Sequence, residues 1–196
     1  MNESALASVS QIFSGSAVIR GMNDSRAVMV GDLDGSGLLS RQLTFVGAPP
    51  SGSASALRLN DVVISLRGNT NFAAIVDHSD ISERALFATL DLAVIRLHDP
   101  EVVDPSYVAT WLNLPSTQAI LAESREGTAA KRLSLGPLRA IEIPVPDWRR
   151  QRAIVSLAQA AAEERRLSAR ITMFRTKLLN ECLALAALGP TEESAT

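Results

Sequence analysis

Residues Gly127 to Leu157 read GTAAKRLSLGPLRAIEIPVPDWRRQRAIVSL, three parts in a fixed order. A small basic loop led by glycine comes first. An apolar run marked by Pro144 and Pro146 follows, and the segment after it has the residues of a helix. Ala140 to Val145, AIEIPV, predicts a strand whose proline suits a strand end or an edge, since proline cannot donate to a ladder. Pro146 with Asp147 predicts a helix start, and neither glycine nor proline recurs until Gly189-Pro190, an expected stop. A helix of up to about 40 residues results, roughly 60 Å at 1.5 Å per residue. Its apolar positions, Leu157, Ala160, Leu167, Ile171, Phe174, Leu178 and Leu185, step mostly by threes and fours, with Glu164 and Glu181 as interruptions. This is the pattern of a coiled-coil-like arm that wants a partner helix. The competing expectation is a core helix folded back on its own domain. Cys182, the single cysteine, falls among Leu178, Leu179, Leu183 and Leu185 and reads as a buried structural thiol.

Working back from that stretch, the first 146 residues read as short strands and turns with helices set among them. Leu59 to Leu66, LNDVVISL, is the clearest strand, and Ala93 to Leu97, AVIRL, is a second. Ser106 to Glu123 reads as helical, opened by Asp104 as a cap and Pro105 in the first turn, and Pro115 divides it in two. Gly31 to Gly37, GDLDGSG, is dense in turn formers, and Ala48 to Ser55, APPSGSAS, is a turn-rich loop. Counted from Asp32, the twelfth position of a calcium loop would be Thr44 where glutamate is needed, so GDLDGSG reads as a turn. The fold class is α+β: one globular domain, then the long C-terminal helix.

Net charge of −2 on 196 residues conceals an asymmetry. Residues 1 to 124 carry 7 Lys and Arg against 13 Asp and Glu, whereas residues 125 to 177 carry 12 against 5. The positive charge is nearly all arginine, the residue that makes bidentate contacts to phosphate and to guanine edges. No apolar run approaches the roughly 20 residues that cross a bilayer. The opening MNESALASVSQIF carries an acid and lacks the basic start of a secretory signal, so a soluble, cytoplasmic protein is expected.

Catalytic patterns are missing from the sequence. His78 and His98 show no metal-ligand spacing, no GxSxG elbow accompanies the serines, and neither a phosphate loop nor a dinucleotide fingerprint is present. Asn113-Leu114-Pro115-Ser116 lacks the aromatic that a base-flipping methyltransferase places after its proline. Lys131 and Lys177 are the only lysines, and neither follows a strand-borne Glu-x pattern of a nuclease. Binding without catalysis is therefore expected, with no cofactor and no metal.

Taken together, Gly127 to Leu133, Leu138, Ile143-Pro144-Val145-Pro146, Gln151 and Ile154 resemble the end of a target recognition domain from the DNA specificity subunit of type I restriction-modification systems. Leu59 to Gly68 is similar to that family's "L..GD(V/I)L...RG" strand, with Asn60 in the place of the usual glycine, a change that a turn tolerates because asparagine also enters left-handed backbone. Tyr107 to Leu121 resembles the helix before its glycine loop, and the likeness runs from about residue 8 to 185. Members usually carry two recognition domains and two long helices. This chain has one of each, so the resemblance implies a half-subunit: a recognition domain over residues 1–146, a helical spacer and dimerisation arm over 147–188, and a disordered tail over 189–196.

The resemblance implies a non-catalytic protein that binds double-stranded DNA, forms a homodimer through antiparallel helices, and directs a methyltransferase (modification) subunit, with a restriction motor subunit as a further partner. S-adenosylmethionine and ATP would belong to those partners. Arg125, Lys131 and Arg132 are the expected phosphate-gripping residues of the loop. Arg67, Asn69, Thr70 and Asn71 have base-reading chemistry, against which stands a loop held by its own side chains. On the helix, Arg149, Arg150 and Gln151 with Leu157, Leu167, Ile171, Phe174, Leu178 and Leu185 are the expected partner or dimer contacts. A solvated face is the other reading for Arg149, Arg150, Arg152, Arg165 and Arg166. The alternative function is a dimeric interaction module of the same fold that does not read DNA.

Overall fold

The computed structural model describes residues 3–17, 25–39, 43–47, 56–81, 84–127 and 131–188. The expected loop at 48–55, the helix stop at 189–190, the tail, and residues 128–130 of the basic loop lie outside them. The chain divides into two compact units, Met1–Ser156 and Leu157–Thr196.

In chain order the elements are β1 (Glu3–Ala5), α1 (Leu6–Val9), β2 (Ser10–Ser14), β3 (Ser25–Val28), a 3₁₀ turn (Val30–Asp32), β4 (Thr44–Val46), β5 (Val62–Ser65), β6 (Ala73–Ile75), β7 (Leu86–Ala88) and β8 (Leu92–Leu97), then α2 (Pro105–Leu112), α3 (Pro115–Glu123), β9 (Arg125–Glu126), β10 (Arg132–Leu133), α4 (Leu135–Ala140), β11 (Glu142–Pro144) and α5 (Trp148–Leu188). The α+β class and the long C-terminal helix are as expected. So are the two halves of the central helix: Asp104 accepts the Ser106 amide hydrogen at 2.8 Å as the cap of α2, and Pro115 opens α3.

A four-stranded antiparallel sheet, in order β2-β8-β5-β6, forms the middle of the first unit. Its central strands are buried on both faces, so the two faces of the pleat feed two cores. Val62 and Ile64 of β5 with Ala93 and Ile95 of β8 join Tyr107, Val108 and Leu112 of α2 in one cluster. Val63, Leu92 and Val94 point the other way, joining Val28, Leu86 and Ala88 of the small sheet β4-β3-β7. Helices, sheet and small sheet make three layers. Asn60 precedes β5 with φ of 70°, the left-handed backbone expected where the resembled pattern has glycine.

Among the described residues β11 pairs with β1 alone, in register Ser4↔Ile143, which places Pro144 on the strand margin its sequence predicts. Its backbone carbonyls are taken up by α2, where Tyr107 Oη donates to Pro144 O at 2.7 Å and Trp111 Nε1 to Glu142 O at 3.3 Å. Burial pushes the Tyr107 phenol up to about 12. The aspartates of GDLDGSG serve the turn itself. Asp32 accepts the Met29 amide hydrogen and Asp34 that of Ser36, both at 2.8 Å.

In the second unit, residues 163–187 of α5 are all exposed, including Leu167, Ile171, Phe174, Leu178 and Leu185. None of the apolar side chains expected to repeat along the helix from Leu157 is buried. Cys182 is exposed as well, a correction to its reading as a buried thiol. Apolar neighbours on a helix indicate a buried cysteine only when those neighbours themselves face a core, and here Leu178, Leu179, Leu183 and Leu185 do not.

Candidate nucleic-acid interface

β5 ends in a turn built to carry exposed polar residues. Gly68 adopts φ of 101°, a conformation open to glycine at little cost, and reverses the chain between β5 and β6. Ser65 holds both limbs: its N–H donates to Phe72 O at 2.9 Å and its Oγ to Thr70 O at 3.1 Å. Arg67, Asn69 and Thr70 are left exposed at the tip.

Asn71 is a correction. Expected among the base readers, it is wholly buried, its Nδ2 donating to Ser65 O at 2.6 Å and its Oδ1 accepting from Arg125 Nε at 2.8 Å. Both ends of the amide are occupied within the protein. Asn71 is thus the link between two loops 54 residues apart in sequence.

The second of those loops is the basic one. β9 and β10 form its stem, with Arg132 opposite Glu126 and Leu133 opposite Arg125, and Gly127 follows β9 at φ of 106°. The stem docks on the end of β5, where Arg132 pairs with Arg67 across an antiparallel bridge and Leu133 N donates to Leu66 O at 2.9 Å. Lys131 stands exposed beside it. The fold therefore unites Arg67, Asn69, Thr70, Arg125, Lys131 and Arg132, all picked out in the sequence, at one end of the central sheet.

An acid completes the cluster. Asp91, in the turn between β7 and β8, receives Arg67 Nε at 2.9 Å and lies 4.0 Å from Arg132 Nη1. Arg132 Nη2 also donates to Leu90 O at 2.8 Å. Asp91 borders an open cleft of about 540 Å³ that includes Ser16, Met29, Val30 and Thr89. The side chains in these pairs are between 40% and 55% exposed. By contrast, the ion pair of Arg96 with Asp61 is closed, with side-chain exposures of 20% and 2%, and bidentate at 2.8 and 2.7 Å. Hydrogen bonding to Asp61 holds the Arg96 guanidinium above its ordinary range. That second pair is architecture.

Two amides in the central helices hold the platform. Asn113 accepts from Ala73 N and donates to Ala73 O, each at 2.8 Å. Gln118 accepts from Asn71 N at 2.9 Å and donates to Asn71 O and Leu112 O at 2.8 Å. Ile75 N donates to Gly37 O at 2.9 Å, so the outer edge of β6 at residues 71, 73 and 75 is closed. Sequence reading passed over Asp91, Asn113 and Gln118 as site-forming residues. Leu112 aside, their partners lie 24 to 47 residues away, and no periodicity encodes such pairings.

Gln151, expected as a partner or dimer contact, is fully buried in the first unit: it accepts from Asp104 N at 2.8 Å and donates to Val102 O at 3.0 Å and Pro146 O at 2.9 Å. Its amide anchors the start of α5. Arg149 and Arg150 are exposed, and Arg150 lies 3.7 Å from Asp147. Arg166 pairs with Glu163 on one helical face at 2.7 Å, which holds the Glu163 carboxyl below its usual range and fits the solvated-face reading.

A three-layer α+β arrangement bears a cluster of arginines at the end of its central sheet, and a continuous 41-residue helix, Trp148–Leu188, follows it in the chain. Solved structures share this fold. The chain aligns over 92% of its length with 43% of a chain from a study of complex assembly and conformational transition of the type I R-M system, at TM-score 0.65 and 16% identity. It matches the type I restriction-modification system S subunit from M. genitalium (TM-score 0.55, 16% identity, 92% of this chain and 44% of that one). The HsdS subunit from Thermoanaerobacter tengcongensis is similar at TM-score 0.57 and 17% identity, over 87% of this chain and 39% of that one. The fold is that of type I specificity subunits, and the chain spans less than half the length of each of these solved chains. No protein-family model matches this sequence, and neither does any curated protein sequence.

Proposed function

We propose that the protein is a non-catalytic DNA-binding specificity subunit with a single recognition domain, acting in the cytoplasm to direct a methyltransferase subunit to a target site. The observation that supports this reading is the joining of two distant segments, residues 66–72 and residues 125–127 with 131–133, into one solvent-accessible cationic surface on a fold shared with type I specificity subunits. Arg125, Lys131 and Arg132 grip phosphates, and Asn69 and Thr70 are the polar groups free to approach base edges. The exposed apolar positions of α5 pair with the same helix of a second copy, antiparallel about a two-fold axis. The helix then sets the distance between two recognition domains, and a symmetric dimer of this kind reads a symmetric site. A restriction motor subunit is a further partner of the same assembly.

Binding of duplex DNA as a function of salt tests the reading. Each phosphate contact contributes about 0.9 to the slope of log affinity against log salt, so neutralising Lys131 and Arg132 together lowers that slope by up to about 1.8. An unchanged slope removes the basic loop from the interface. The charge balance of residues 1–124, with 7 basic against 13 acidic, favours a second reading in which the dimer binds other subunits without reading DNA. In that case no duplex binds in a salt-dependent way.

A further inference from the structure

We propose that Asp91 is a stand-in for a DNA phosphate: its carboxylate occupies the space between Arg67 and Arg132 in the free protein and gives way to a phosphodiester when duplex binds. The inference rests on the DNA-binding reading and adds to it a residue and a role, the suppression of indiscriminate binding.

The geometry carries the argument. Arg67 and Arg132 come from loops 65 residues apart yet stand opposite one another across a bridge, and the carboxylate that both approach comes from a third segment, the β7–β8 turn. A carboxylate and a phosphodiester present the same thing to a guanidinium, two oxygens sharing one negative charge. The anion therefore sets the two arginines in a position from which they can receive another anion. With all three side chains 40% or more exposed, each pair is worth no more than about 1 kcal/mol and is open to exchange. The Arg96–Asp61 pair, closed off and tied further by Arg58 N to Asp61 at 2.8 Å, cannot serve in this way.

Two consequences follow. Arg67 contacts the DNA backbone, and guanine reading passes to other groups of the surface. In addition, any duplex must displace Asp91, an expense that is the same for every sequence. A well-fitted site recovers it through base contacts, whereas mixed sequence does not, so the carboxylate widens the gap between target and bulk DNA.

The test compares the full chain with Asp91→Asn in binding a mixed-sequence duplex at several salt concentrations. Asparagine keeps the backbone carbonyl that accepts Leu66 N at 2.8 Å, and Asp91→Ser is a second neutral variant should the first fold poorly. The expected result is binding tighter by about fivefold, the equivalent of ~1 kcal/mol, with a salt slope steeper by up to about 0.9. Glu101→Gln removes the same charge from an exposed turn outside the cluster and is expected to change little. In an Arg67→Ala/Arg132→Ala background the Asp91→Asn effect disappears. If the wild type binds duplex and Asp91→Asn behaves like Glu101→Gln, the stand-in role is overturned while the DNA-binding reading survives. If Asp91→Asn tightens binding equally in the absence of both arginines, the effect is general charge removal and the role is again overturned. If neither form binds any duplex in a salt-dependent manner, both readings fall together.

Discussion

Replacing Gln151 with alanine tests the idea that one buried amide fixes how α5 leaves the first unit. The side chain is wholly buried and makes three hydrogen bonds, all to backbone: from Asp104 N, to Val102 O and to Pro146 O. Hydrogen bonds of this kind contribute about 0.5–1.5 kcal/mol each, and truncation also leaves one amide and two carbonyls without their partner. The summed loss is about 3 kcal/mol, or a fall in melting temperature of roughly 6–12 °C for a unit of this size. Denaturant unfolding followed by tryptophan fluorescence is suited to the measurement, because Trp111 and Trp148 both lie in this unit. Gln151→Glu sharpens it. The carboxylate can still accept from Asp104 N but cannot donate to the two carbonyls, and burial raises its folded pKa above the unfolded value. Relative to the wild type at the same pH, that variant is therefore most stable at acid pH, where the protonated acid supplies a donor, and this contribution is lost as pH rises through the folded pKa. A cost below about 1 kcal/mol for the alanine variant, or a glutamate variant indifferent to pH, would refute the anchoring role.

Asn113→Ala and Gln118→Ala are each expected to destabilise by about 1–3 kcal/mol, and to speed amide exchange at residues 71–73 in particular, since they uncover the β6 edge. Exchange that rises evenly over the whole unit argues against that edge role. Tyr107 is the sole tyrosine, so absorbance of tyrosinate reports it alone: the folded protein stays un-ionised past pH 10 and titrates near 12, the unfolded chain near 10. Because the folded value is the higher one, the associated stability is complete below about pH 10 and is lost as pH climbs towards 12. Ile171→Glu with Leu178→Glu places charge among exposed apolar residues of α5, leaves the melting of the first unit unchanged and converts the expected dimer to monomer by light scattering. A dimer that persists with both glutamates moves the interface away from this stripe.

Much of the fold is legible in local chemistry. β-branched runs bounded by turns mark β5 and β8, Asp104-Pro105 and Pro115 set the limits of α2 and α3, and the glycine-free stretch after Pro146 specifies α5. Each of those signals acts within a few residues, which is why a sequence carries it. Leu157 to Leu185 shows the same principle at its limit: the repeat announces a helix face but does not say what covers it, and Cys182 is exposed for that reason. Asn71 and Gln151 expose the opposite weakness. An asparagine in a turn and a glutamine on a helix have the same donors and acceptors whether they face DNA, a partner or their own backbone, and only the packing of loops 54 and 47 residues distant decided the matter. The sequence by itself determined the element types, the breaks between them and the residues rich in cationic chemistry. Tertiary structure alone decided that Arg67 and Arg132 meet, and that Asp91 lies between them, because ion pairs and edge contacts between remote segments depend on the sheet's register, which no local pattern encodes.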